Sequence, residues 1–345
     1  MASPPVYAVR HATAADLPEL EALMRRSIDG LLPGFLPPEA VAASHDFMGV
    51  DSQLVRDGTY FVVEAGGAAV GCGGWSRRAT LFGGDHAAGR EARFLRPEDE
   101  PARVRAMYTD PAHVRRGIGR HILALCEAAA APEGFDALAL MATAAGEPLY
   151  HAAGFAVEER VAVPTRAGVA VPCARMRRSI GSDLPSQLER SARALLTAAG
   201  LPTQDLTPAH FAPASSDAAL GGSGYSATVC MAGHCTAPHG VVVMEWRGAA
   251  ALLRSLVVDP AHRGAGTGRA LVEAAEALAA RRGVETVVLL TTTAAPWFAA
   301  LGYRPMARGA LPAAIAASPQ VSGVCPASAA VMAKVITPDG EAGHR

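Results

Sequence analysis

Met107-Tyr108-Thr109-Asp110-Pro111-Ala112-His113 returns 149 positions later as Leu256-Val257-Val258-Asp259-Pro260-Ala261-His262. Asp-Pro-Ala-His is identical in the two stretches, and Gly117, Gly119 and Arg120 meet Gly266, Gly268 and Arg269 at the same offset. Further on, Gly154-Phe155 is matched by Gly302-Tyr303, 148 positions away. A period this long is a duplicated domain and not the short unit of a solenoid.

Both copies read alike. An apolar segment (105–109; 252–258) leads to Asp-Pro and a glycine-rich turn, then to a helix. Ile118, Ile122, Leu125, Cys126 and Ala129 in one copy, and Thr267, Leu271, Ala274, Ala275 and Leu278 in the other, share the spacing of a core-facing helical stripe. Gly134 and Gly283 stand where helices end. Residues 137–143 and 286–293 predict strands, and a short helix then leads to the Gly-Phe or Gly-Tyr pair. Upstream, 60–64 and 68–75 flank Ala65-Gly66-Gly67 as a hairpin. The second copy has little alternation over 223–239, so only 240–246 is expected to be a strand there. The fold class is α/β, each copy a mixed sheet flanked by helices. The expected division is a first domain over 1–180, a polar linker over 181–190 and a second domain over 191–338.

Composition removes several function classes. The chain has 345 residues, enough for about two domains. Its 31 basic and 32 acidic residues give a net charge of −1, so nothing in the overall charge favours nucleic acid or an anionic membrane. No run approaches the roughly 20 apolar residues of a membrane helix, and the start lacks the pattern of a signal peptide. A cytoplasmic location is the expectation. The six cysteines are scattered, which suits a reducing compartment. Cys230, His234, Cys235 and His239 invite a zinc reading, but no second cysteine pair accompanies them, and free thiols are expected with no metal.

The loops 114–120 and 263–269 lie between a strand and a helix. A helix N-terminus presents unpaired N–H groups and partial positive charge, glycines allow close backbone approach, and rim arginines add donors. This physics predicts a diphosphate ligand without choosing the nucleotide. Gly-Lys-Ser/Thr is absent, so neither loop is a P-loop. A dinucleotide fingerprint would sit on the first strand of a domain, and these loops come late.

On these residues both halves resemble the GCN5-related N-acetyltransferase (GNAT) superfamily, whose loop reads Arg/Gln-x-x-Gly-x-Gly/Ala. Arg263, Gly266 and Gly268 fit it fully; Gly117 and Gly119 fit, with Val114 in the first place. Through residues 194–203, 252–258, 289–293, 311–315 and 325–329 the second copy is also similar to bacterial arsenic-resistance N-acetyltransferases. The resemblance implies acetyl transfer from acetyl-CoA to a small amine, an amino acid or a toxic amino-acid analogue. It implies a cofactor set of Met107, Tyr108, Thr109, Arg115, Arg116, Gly117, Ile118, Gly119 and Arg120 in one copy. In the other it implies Leu256, Val257, Val258, Arg263, Gly264, Ala265, Gly266, Thr267, Gly268 and Arg269. The pantetheine would lie along the strand before each loop like an added strand.

By the same resemblance Tyr150 protonates the departing thiolate; the alternative is a packed aromatic. Phe298 holds its place in the second copy and cannot donate a proton. There Glu245 is the candidate base and Arg254 the candidate partner of a substrate carboxylate, against the alternative of a cross-strand ion pair. Ser328 is expected to line the acceptor pocket, with Cys325 near it. One domain acting as a non-catalytic acyl-CoA-binding module is the competing reading.

Overall fold

The computed structural model describes residues 4–181, 187–211 and 226–336, and divides them into two compact units. The N-terminal unit takes Arg10–Glu64 and Ala68–Gln187; the C-terminal unit takes Leu188 onward together with Met1–Val9 and Ala65–Gly67. Each is an α/β unit built on a mixed sheet.

In the N-terminal unit the strands are β2 (Tyr60–Ala65), β3 (Ala68–Ser76), β4 (Ala102–Thr109), β5 (Ala137–Thr143), β6 (Ala156–Pro164) and β7 (Ala170–Ser179). They run in the order β2-β3-β4-β5-β7-β6, with β4 and β5 parallel. Three helices, α1 (Leu17–Leu31), α2 (Pro38–Ser44) and α3 (Ser52–Arg56), bury Leu20, Leu23, Met24, Ala40 and Leu54 against one face, beside Tyr60, Cys72 and Tyr108. The other face carries α4 (Ile118–Ala130), whose buried Ile118, Ile122, Leu125 and Cys126 are the expected stripe. Glycines in β3 set how close it comes: a Cβ on Gly71 would lie 2.3 Å from Ile118 Cγ2, and one on Gly73 2.9 Å from Ile122 Cγ2. The chain continues through α5 (Glu147–Ala152) to β6.

The C-terminal unit repeats this plan after α6 (Gln187–Ala198), with β8 (Ser226–Ala232), β9 (Gly240–Arg247), β10 (Ala250–Val258), α7 (Thr267–Arg281), β11 (Thr286–Thr291), α8 (Ala295–Ala300), β12 (Arg304–Pro305) and β13 (Ala330–Val335). Its strand order is β12-β13-β11-β10-β9-β8, with β10 and β11 parallel. The first strand of the chain, β1 (Val6–His11), joins it: Val6 and Tyr7 pair antiparallel with Ala232 and Met231 of β8. Ala251 and Leu253 face α7, whereas Ala250 and Leu252 face a second cluster with Val288, Ile315 and Val331. Burial on both faces is why these strands read as continuous apolar runs.

One expectation changes. Residues 226–232, expected to be irregular, form a regular strand in register with β9 from Ser226↔Trp246 to Ala232↔Gly240. Ala227, Val229, Cys230, Met231 and Ala232 are all buried, so the strand has no solvent face and shows no alternation. Of the rest of that stretch, 233–239 are irregular as expected and 223–225 lie outside the described residues, as do 212–222. The helix α6 begins inside the expected linker, of which 182–186 are likewise outside the described residues.

Gly74 tests the packing of β3. A Cβ there would lie 2.4 Å from the Thr59 carbonyl oxygen, a backbone atom that cannot step aside. Gly74→Ala is expected to destabilise the N-terminal unit by about 1–3 kcal/mol, whereas Gly34→Ala, which meets nothing within 4 Å, should not. Urea midpoints read by hydrogen exchange of the β3 amides check this.

Candidate functional site

In both units the central parallel pair comes apart. β4 and β5 are in register only at Ala102↔Leu138 and Arg103↔Ala139, and β10 and β11 only from Ala250↔Thr286 to Leu253↔Leu289. Beyond those points one backbone edge of β4 and of β10 has no strand beside it among the described residues. Each departing strand carries a residue in the left-handed region, Ala106 at φ +50° and Ser255 at φ +55°, 149 positions apart. Side chains other than glycine rarely adopt this conformation. A register shift accompanies each, between Cys72 and Gly74 and between Arg254 and Val257. The Tyr60 hydroxyl donates to the Ala106 carbonyl at 2.8 Å and holds the first bulge in place.

The open edges are the candidate pantetheine segments. The Thr109 N–H reaches Ser27 Oγ at 3.4 Å, and Arg263 Nε donates to the Val258 carbonyl at 3.0 Å. Both contacts come from side chains, which a ligand backbone can replace. The glycine loops follow. Asp110 accepts from the Ala112 N–H and Asp259 from the Ala261 N–H, turning the chain identically in the two units. Gly117 and Gly266, at φ +78° and +80°, are the residues before α4 and α7, and neither helix start has a side-chain cap. The first N–H groups of both helices are thus left for an anion. Arg115, Arg116, Arg120, Arg263, Gly264, Ala265 and Arg269 are exposed around them, while Ile118 and Thr267 anchor each helix in its core. The second glycines differ in surroundings. A Cβ on Gly119 would lie 2.6 Å from Leu149, whereas one on Gly268 has no atom nearer than Trp297 at 3.5 Å.

Tyr150 sits on α5, buried, with its ring edge-on to Phe155 at 5.9 Å. Burial pushes its hydroxyl far above the usual phenol range, so it keeps its proton at neutral pH. Phe298 takes the same place on α8, edge-on to Tyr303 at 5.5 Å.

The structure brings Glu245 and Arg254 together, but not toward a ligand. Both are almost wholly buried. Arg254 Nη1 and Nη2 grip Asp205 at 2.6 and 2.9 Å, Nη1 also reaches Glu245 at 3.0 Å, and Nε reaches Ser255 Oγ at 3.2 Å. Glu245 further accepts from Arg247 at 2.8 Å and Ser318 at 3.3 Å and faces His210 at 3.4 Å. Burial alone would raise the Glu245 carboxyl, but bonds from His210, Arg247 and Arg254 outweigh it and hold the group down to about 2. Such a carboxylate is a weak base, and an arginine already forked on an aspartate has no face to offer a substrate. Glu245 and Arg254 thus stand in the arrangement expected as their alternative, an ion pair between neighbouring strands, here extended into a buried network with Asp205. Ser328 lies exposed in the turn before β13, and the contacts of the network do not include it.

Residues beyond the sequence reading complete the picture. Arg105 is the counterpart of Arg254 at the 149-residue offset, equally buried and paired with Asp51. The offset itself would have found it. Asp51 and Asp205 share no offset, so only the fold reveals them. Among the described residues no group of three or more His, Cys, Asp or Glu is placed to hold a metal, and no helix is long and apolar enough to cross a membrane.

The family model for the acetyltransferase (GNAT) domain matches residues 56–157 and again 226–305, together just over half of the chain. The chain belongs to the GNAT acetyltransferase family. The two matches fall one on each splayed pair. No curated protein matches the chain. Solved GNAT structures do. One, a GCN5-related N-acetyltransferase from Rhodopseudomonas palustris, is 19% identical, covering 52% of this chain and 97% of its own, with TM-score 0.37. The PaiA N-acetyltransferase of Thermoplasma acidophilum in complex with coenzyme A is 15% identical over 50% of this chain and 98% of its own, with TM-score 0.35. The putative acetyltransferase YncA of Salmonella typhimurium with acetyl-CoA is 17% identical over 52% and 96%, also with TM-score 0.35.

The buried network of this GNAT chain makes a pH prediction. The folded state keeps Glu245 ionised down to about 2, and an unfolded glutamate takes up its proton near 4.3. Its contribution is therefore complete above about pH 4.3 and lost as pH falls toward 2. Acid unfolding of the C-terminal unit should lose part of its pH slope in Glu245→Gln. Arg254→Met leaves two buried carboxylates without their main partner and should cost about 3–5 kcal/mol, measured as a shift in urea midpoint at pH 7.

Proposed function

We propose that the chain transfers the acetyl group of acetyl-CoA to a small amine, an amino acid or an analogue of one. The observation that carries this reading is the open strand edge running directly into an uncapped, glycine-led helix N-terminus. The edge offers N–H and C=O groups in the repeat that pantetheine amides need, and the helix start offers N–H donors to the diphosphate. In the N-terminal unit the acceptor ammonium first gives one proton to water; its neutral nitrogen then bonds to the acetyl carbon and the C–S bond breaks. Tyr150 gives its proton to the departing sulfur, and the surplus proton of the bonded nitrogen leaves through water and re-protonates Tyr150. Burial keeps Tyr150 protonated at neutral pH, so the proton is present to be given.

A second reading is favoured by a specific contrast. The C-terminal unit has Phe298 where the N-terminal unit has Tyr150, and its Glu245 and Arg254 are closed on each other and Asp205. On that basis the N-terminal unit is the catalytic one, and the C-terminal unit binds acyl-CoA without turning it over.

Calorimetric titration with acetyl-CoA should show two sites per chain. Gly268→Asp should abolish one by placing a carboxylate against the diphosphate. Gly119→Asp should abolish the other, with Gly119→Ala as the control for displacement of Leu149. Binding undiminished in both aspartate variants sinks the assignment. Tyr150→Phe should lower kcat about 10²-fold in free-thiol release, with acetyl-CoA affinity unchanged. Gly268→Asp should leave turnover standing if the C-terminal unit is silent.

A further inference from the structure

β3 and β4 are joined by residues 77–101, whereas their counterparts β9 and β10 are joined by Gly248 and Ala249 alone. This insert packs back over α3 and walls an open cavity of about 430 Å³, within the roughly 300–1,000 Å³ usual for small-molecule sites. Arg56, Arg78, Arg90 and Arg105 line it, with Asp85 and Gln53. Arg78 is forked on Asp57 at 2.7 and 3.0 Å. Arg90 holds Asp51 at 2.9 Å and the Gly83 carbonyl at 2.8 Å. Arg56 has neutral partners, Ser52 Oγ at 2.8 Å and Gln53 Oε1 at 3.1 Å.

Arg105 is the decisive residue. It is 4% exposed, pairs with Asp51 and with the Gly83 carbonyl at 3.1 Å, and its Nε–H has no partner among the described residues. A buried donor left unpaired costs free energy that a ligand oxygen would recover. Burial outweighs Asp51 and pulls the guanidinium down to about 10, so further negative charge would be welcome there. Its counterpart Arg254 has every nitrogen occupied. Arg105 also immediately precedes Ala106, the left-handed residue of the departing strand. Asp51, Tyr60 and Tyr108 lie with it on the α1–α3 face, opposite α4 and the glycine loop.

We infer that this cavity is the acceptor site of the N-terminal unit and takes an amine that carries a carboxylate, read by Arg105 and Arg56. The inference rests on the acetyl-transfer reading and names its substrate class. Asp85 lines the same cavity, accepts the Ser52 N–H at 3.1 Å and stands 3.8 Å from Arg90, and it supplies the opposite charge for an incoming ammonium. The spare Nε–H of Arg105 suits one carboxylate oxygen, and exposed Arg56 at the rim draws the anion in and meets the other.

The full chain is titrated with L-alanine, L-leucine and L-phenylalanine, and with ethylamine, isoamylamine and phenethylamine, which lack only the carboxylate. Free-thiol release with acetyl-CoA is measured on the same six. The amino acids should bind and react at least tenfold better than their matched amines. Arg56→Gln, an exposed change that leaves the fold alone, should raise KM for the amino acids about tenfold, with kcat and acetyl-CoA affinity held. The paired variant Asp51→Asn with Arg105→Met, which removes both buried charges together, should erase the preference. Equal use of acids and amines, or an Arg56→Gln protein with unchanged KM and amino-acid affinity, overturns the inference. Arg56-dependent amino-acid binding with no thiol release from any acceptor would uphold the cavity and count against acetyl transfer. Release with the plain amines alone would do the reverse.

Discussion

Everything at the candidate sites depends on one backbone constraint, the early parting of the parallel strands at the centre of each sheet. A parallel pair that stayed in register would satisfy its own N–H and C=O groups and leave nothing for a ligand. The departure is built into the chain by a left-handed residue, Ala106 or Ser255, in a position where a strand would normally stay extended. Such a conformation costs of the order of 1–3 kcal/mol and persists only where its surroundings insist on it. Tyr60 on the Ala106 carbonyl and the buried arginine beside each bulge are those surroundings.

The duplicated arginines show how two copies of one plan diverge. Arg254 is closed in by Asp205, Glu245 and Ser255, so its charge is spent on holding β10 to its neighbours. Arg105 shares its aspartate with Arg90 and keeps one N–H to spare, and the insert over 77–101 turns that shortfall into the wall of a cavity. Tyr150 and Phe298 differ by one hydroxyl in the same direction. The differences accumulate on the N-terminal unit's side as polar groups and on the C-terminal unit's side as packing.

Much of this was legible before any coordinates. The Asp-Pro-Ala-His repeat located both strand–loop–helix segments, and the helix stripes and terminal glycines fell where periodicity put them. Gly134 and Gly283 take φ +91° and +68°, as helix-ending glycines do. β8 was illegible because Ala227, Val229, Cys230, Met231 and Ala232 are buried on both faces, so the period-two signal has no polar half. The adjacency of Glu245 and Arg254 could be read from neighbouring strands. Their closure could not, since Asp205 reaches Arg254 from 49 residues away and no local pattern encodes that meeting. The cavity was hidden for a related reason: Arg56 lies on α3, Arg78 and Arg90 on the insert and Arg105 on β4, and only the fold brings them together.

The pairing of Val6 and Tyr7 with Ala232 and Met231 sets a timetable for synthesis. A ribosome adding about 5–20 residues per second makes the second partner on the order of 10–50 s after the first. Throughout that interval Tyr7, fully buried in the finished protein, is without the edge it will join. The C-terminal sheet therefore completes itself with a strand that has waited through the manufacture of an entire other unit. Contacts so distant along the chain are slow to form and leave edges open meanwhile, which makes β8 the place where assembly of this protein has most to gain from a chaperone.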